Sequence, residues 1–93
     1  SAGTPLALAK LDQNFPNPFN PATVIRFTLS RDDFVDLRVY DAGGREVACL
    51  ARGRVEKGPH TVTWSPRGLA CGVYLYVLKT GESAIARKAV LLR

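Results

Sequence analysis

Asn14-Phe15-Pro16-Asn17-Pro18-Phe19-Asn20-Pro21 is the stretch on which the reading of this chain turns. Its three prolines fix φ and remove three backbone donors, so neither a helix nor an interior strand runs through it. Phe15, Asn17 and Asn20, each preceding a proline, are pushed toward extended or turn conformations. Two phenylalanines among the prolines are too apolar to be left in water. The segment is therefore expected to form a rigid bend pinned to a core by both Phe15 and Phe19.

Outward from this bend, the chain reads as short strands. Ile25 to Leu29 alternates apolar and polar residues, the period-two signature of a half-buried strand with Ile25, Phe27 and Leu29 inward. Val35 to Tyr40 alternates in the same way, and Asp41-Ala42-Gly43-Gly44 supplies the glycines a tight hairpin needs. Glu46 to Ala51 forms a third strand, in which the odd spacing of Val47 and Leu50 predicts a bulge. Gly53 to Pro59 reads as a charged loop, and His60 to Trp64 as another alternating strand. Val73 to Leu78 is apolar on both faces and rich in β-branched and aromatic residues, the composition of a central strand. Thr80 to Ser83 makes a turn into a last strand, Ile85 to Leu92. Thr4 to Lys10 is mildly apolar and fits either an edge strand or a linker. No segment has a helical period. The pattern is all-β, an antiparallel β-sandwich of about seven strands.

Composition agrees with one folded domain. The chain has 93 residues, 46% hydrophobic and 23% charged, near globular averages. It contains no long apolar run, so no transmembrane segment is expected, and Ser1 to Pro5 lacks the basic and apolar regions of a signal peptide. The formal charge of +5 is scattered from Lys10 to Arg93 over strand faces and turns, which points to a solvated face and not to a nucleic-acid partner. Cys49 and Cys71 leave room for one disulfide, without a spacing that decides it, and with one histidine they cannot complete a structural zinc site.

Catalytic patterns are missing from the sequence. His60, the only histidine, shares a strand face with Val62 and Trp64, the setting of a packing residue. Asp32, Asp33 and Asp36 do not have the spacing of a calcium loop and read as a solvated turn. Tyr40, Trp64, Tyr74 and Tyr76 would form a sugar-stacking platform only if two faced solvent together, and their strand positions favour the core. No catalytic residue, metal or cofactor is expected.

Four segments carry a resemblance. Gln13 to Phe27, with its Asn-Pro-Phe-Asn-Pro core, resembles the opening of the type A C-terminal sorting domain of type IX secretion. Val39-Tyr40-Asp41-Ala42-Gly43-Gly44-Arg45-Glu46-Val47 and Gly68 to Tyr76 are similar to that family's hairpin and central segment, and Arg87 to Arg93 to its basic-then-apolar terminal strand. The pattern also shades into the Ig-like domain of flagellar hook-capping proteins. The resemblance implies an immunoglobulin-like fold over residues 11–93, with residues 1–10 a linker or expression remnant able to add an edge strand. It implies a non-catalytic, monomeric domain that directs its parent protein across the periplasm and outer membrane to the cell surface. Its partners would be an outer-membrane translocon and a sortase-like peptidase. The matched positions are Pro16, Asn17, Pro18, Phe19, Gly44, Gly72, Tyr74 and Gly81, and for the first four a structural role is expected. Recognition is expected at the terminal strand, Lys88, Ala89, Val90, Leu91, Leu92 and Arg93, through backbone groups left unpaired at a sheet edge. The family usually carries Thr- or Ser-like residues where Cys49 and Cys71 stand, and their joint presence raises the chance of a bridge without proving it. The competing readings are an accessory carbohydrate-binding module of an extracellular enzyme and a structural Ig-like spacer.

Overall fold

The computed structural model describes residues 9–81 and 83–92 and contains seven strands in two antiparallel sheets. Strands β1 (Ala9–Leu11), β2 (Thr23–Leu29) and β5 (Gly58–Trp64) form one sheet in the order β1-β2-β5. Strands β3 (Asp33–Tyr40), β4 (Glu46–Val55), β6 (Gly72–Lys79) and β7 (Ala84–Leu91) form the other in the order β4-β3-β6-β7. The chain crosses between sheets after β2, β4 and β5 and makes hairpins at β3–β4 and β6–β7, a Greek-key, immunoglobulin-like sandwich.

The core follows from the alternation. Ile25, Phe27 and Leu29 on β2 meet Val35, Leu37 and Val39 on β3 and Tyr74, Tyr76 and Leu78 on β6, all buried. One end of the core is aromatic: the Phe19 and Trp64 ring centroids lie 5.3 Å apart, and Tyr74 stands edge-on to Trp64 at 5.6 Å. β4 carries the expected irregularity. The β3–β4 register shifts between Leu37 and Arg38 and again between Val39 and Tyr40, so Leu50 and Val47 are each left without a partner residue.

Two expectations need correction, and one open choice is decided. Gly53 to Pro59 is not a loop: β4 runs on to Val55 and β5 starts at Gly58. Arg52 and Arg54 are exposed while Val55 packs on the core, so these charges belong to the solvent face of a strand. Only a two-residue corner remains, held where the Lys57 amide donates to Asp32 Oδ1 at 2.9 Å. Phe15 is not an anchor. It is 78% exposed, whereas Phe19 is 1% exposed. The lead-in is an edge strand from Ala9, paired with β2 at Leu29; the part of that expectation on residues 1–8 lies outside the described residues.

Candidate functional site

The proline-rich segment, residues 14–21, is a strap that closes the end of the sandwich and reaches β7. Its opening is tied to β2: the Phe15 amide donates to the Val24 carbonyl at 3.0 Å and the Val24 amide to the Phe15 carbonyl at 2.9 Å. This antiparallel bridge turns the Phe15 ring to solvent beside exposed Val24. Four residues on, the strap lies parallel to β7. The Phe19 amide donates to the Val90 carbonyl and the Leu92 amide to the Phe19 carbonyl, both at 2.9 Å. Asn17 Oδ1 accepts from the Val90 amide at 2.9 Å, and the Gln13 side-chain amide donates to the Lys88 carbonyl at 2.6 Å.

These bonds revise the expected recognition element. β7 is the edge strand of its sheet, and Lys88, Val90 and Leu92 carry backbone groups that point away from β6. The strap already bonds several of them, so this stretch does not offer a run of unpaired groups. The side chains alternate too: Ala89 and Leu91 are buried in the core, and Leu92 is exposed. Arg93 lies outside the described residues.

A buried polar network holds the strap in place. The Tyr76 hydroxyl donates to the Asp12 carbonyl at 2.7 Å and accepts from the Asn14 amide at 2.8 Å. The Asn14 side chain donates to Thr23 Oγ1 at 2.9 Å and to the Pro16 carbonyl at 3.1 Å, while its Oδ1 accepts from Gln13. The Thr23 hydroxyl also donates to the Pro16 carbonyl. Asn14 and Thr23 are 2% and 1% exposed, and no buried side-chain polar atom among the described residues lacks a partner. Burial raises the Tyr76 phenol above its usual range. From the other side, Arg87 Nε donates to the Leu11 carbonyl at 2.6 Å, joining the terminal strand to β1.

The glycine and tyrosine family positions sit in turns and at strand ends. Gly44 sits at φ +88° in the β3–β4 turn, where the Asp41 carboxylate accepts from the Gly43 and Arg45 amides. Those amides, the Arg45 one foremost, hold Asp41 below the usual carboxylate range. Gly72 opens β6 at φ +146°, the Tyr74 hydroxyl donates to the Ala70 carbonyl, and a Cβ on Gly81 would come within 3.1 Å of Asp33 Oδ1. Pro16 and Pro18 are exposed.

The other candidates are dispersed. His60 stacks on Phe27 at 5.4 Å and bonds the Glu56 carbonyl through Nε2. Asp32 caps the Lys57 amide, Asp33 the Phe34 amide, and Asp36 pairs with Arg38, whose bond foremost lowers the Asp36 pKa. Among the described residues, no three His, Cys, Asp or Glu side chains could hold one metal ion. Trp64, Tyr74 and Tyr76 are buried, in keeping with their strand positions, and so present no sugar-stacking platform. Cys49 and Cys71 are free and exposed. The register separates them: Cys49 pairs with Arg38 and Arg38 with Val77, which is about 20 Å along β6 from Cys71 at roughly 3.3 Å per residue. A disulfide needs Cα atoms within about 7 Å, so no bridge joins them.

Comparison with known proteins agrees on the fold. The sequence model of the secretion system C-terminal sorting domain family matches residues 13–92. The crystal structure of dimeric latent PorU from Porphyromonas gingivalis is similar in fold, with a TM-score of 0.62 and 21% identity. That likeness covers 94% of this chain and 10% of the PorU chain. Among curated proteins none matches in sequence.

Proposed function

The chain belongs to the secretion system C-terminal sorting domain family, and from that premise we propose that it delivers the protein carrying it through the outer membrane by way of β7 and the strap. The family match over residues 13–92 carries this reading, since it spans the strap, both hairpins and the terminal strand. Sorting for secretion is the family's role, and such a domain acts by being bound. In this reading the finer partners are an outer-membrane translocon and a sortase-like peptidase. The route runs through the periplasm to the cell surface, and residues 11–93 form the sorting unit with β1 leading in.

The recognition element is the stretch Lys88 to Arg93. Its neighbours support that choice. Asn17 and Phe19 of the strap bond Val90 and Leu92, Gln13 just ahead of it bonds Lys88, and Arg87 is fixed to Leu11. A receptor reading this strand meets it in one rigid conformation, which lowers the ordering cost of binding. The test is export of a fluorescent reporter fused ahead of this chain, behind a signal peptide, in a bacterium with type IX secretion. Reporter in the medium or on the surface is expected. Full retention in the periplasm would refute the reading.

A further inference from the structure

β6 is apolar on both faces, yet only one face is used by the core. Tyr74, Tyr76 and Leu78 turn inward, so Val73, Leu75 and Val77 turn out onto the open face of the four-stranded sheet. Val73 is 45% and Leu75 36% exposed, high values for an interior strand. The register widens this row into a strip: Val90 of β7 lies across from Val73, and Tyr40 of β3 lies across from Leu75.

Charge surrounds the strip unequally. Arg52, Arg54, Arg38, Lys79 and Lys88 stand on this face against two acids, Asp36 and Glu46. Arg38 takes up both acids, bonding Asp36 at 2.6 Å and Glu46 at 2.8 Å. The other four bases form the rim. An exposed apolar strip with a polar rim marks an interaction surface, and its sign selects the partner.

We infer that the receptor reaches Lys88 and Val90 of β7 from this open face, docking across the apolar strip and not along the strap-covered backbone edge. The occupant of the face is a protein surface of the secretion machinery that is apolar at its centre and acidic at its rim. The inference rests on the sorting reading above and places the receptor on Lys88 and Val90 from the face side. A second copy of this chain is disfavoured, because two such faces would meet base against base. An anionic membrane is disfavoured by the two carboxylates within the face.

The test uses the full chain fused to the secreted reporter, with thermal melting of each variant alongside. Leu75→Glu puts a carboxylate in the strip, and Lys79→Glu/Lys88→Glu reverses part of the rim at exposed positions. Each is expected to cut export by at least about tenfold, as loss of an interface hot spot does, while the melt stays cooperative. Val24→Glu, on the open face of the other sheet, should export as the unaltered chain does. Normal export of Leu75→Glu and of the double glutamate variant would overturn the inference, as would equal loss in Val24→Glu. Binding of the unaltered chain to phosphatidylglycerol vesicles, abolished by Leu75→Glu, would assign the face to lipid and overturn the protein partner. Periplasmic retention of the unaltered fusion would instead strike the sorting reading beneath it, a distinct result.

Discussion

Phe15 and Phe19 lie four residues apart on one strap and should respond oppositely to truncation. Phe19→Ala removes a ring that is 1% exposed and tilted against Trp64 at 5.3 Å. Deleting a buried phenyl ring costs about 3–5 kcal/mol, transfer and cavity together. A 93-residue domain has roughly 5–14 kcal/mol in total at about 0.05–0.15 kcal/mol per residue, so the loss is a large fraction. At about 4 °C or more per kcal/mol for this size, the melting temperature should fall by at least ~12 °C. Phe15→Ala removes a ring that is 78% exposed, outside the core, and leaves the Phe15–Val24 backbone bonds in place. Its effect should stay within about 0.5 kcal/mol, or under roughly 4 °C. Both variants keep the backbone bonds, so the difference isolates the rings. Thermal and urea unfolding followed by circular dichroism measure it. Equal losses, or a larger loss for Phe15→Ala, would refute the inside–outside assignment.

Other substitutions test the network, the turn, the charges and the thiols. Tyr76→Phe strips the partner from the buried Asn14 amide and the Asp12 carbonyl, and should cost about 1–3 kcal/mol in urea unfolding; a neutral result would mean that the network is not formed. Gly44→Ala meets open space but must hold φ +88°, so it should cost roughly 1–2 kcal/mol through backbone strain alone, with Gly44→Asn milder. Asp41 has a folded pKa below its ordinary 3.8, so its stabilising contribution is present above that pH and is lost as pH falls through the folded value. Asp41→Asn should therefore lower stability at neutral pH and flatten its decline in acid; parallel curves would contradict this. Cys49 and Cys71 should both alkylate in the native, unreduced chain, and protection of both would restore a bridge.

The fold was legible because alternation and turn chemistry are local. Ile25 to Leu29, Val35 to Tyr40 and the Asp41 to Gly44 hairpin each state their inward face within a few residues. Even the bulges of β4 showed in the spacing of Val47 and Leu50. What misled was composition read without a face. Arg54 resembles a loop residue only until Gly53 and Val55 on either side are seen to take the inward positions of β4. Phe15 resembles an anchor for the same reason, since apolarity gives no direction. Its direction is set by a backbone bridge to Val24, nine residues away. The strap's contact with β7 lies beyond any local signal. Asn17 and Val90 are 73 residues apart, and Gln13 and Lys88 are 75 apart.

That long-range contact decides how recognition can be dissected. Deleting Lys88 to Arg93 looks like removal of a signal from a finished domain. In the structure it also takes Ala89 and Leu91 out of the core, the latter 8% exposed and the former fully buried. It strips Phe19 of its two backbone partners on this strand and Asn17 of its bond from the Val90 amide, so the strap loses its far attachment. Loss of export after such a truncation would follow from unfolding as readily as from a lost contact. β7 separates the two effects by its own alternation: Ala89 and Leu91 report on the sandwich, whereas Lys88 and Val90 face outward and report on what binds it. A substitution at Lys88 that abolishes export while the melt is unchanged therefore reads recognition, and one at Ala89 reads folding.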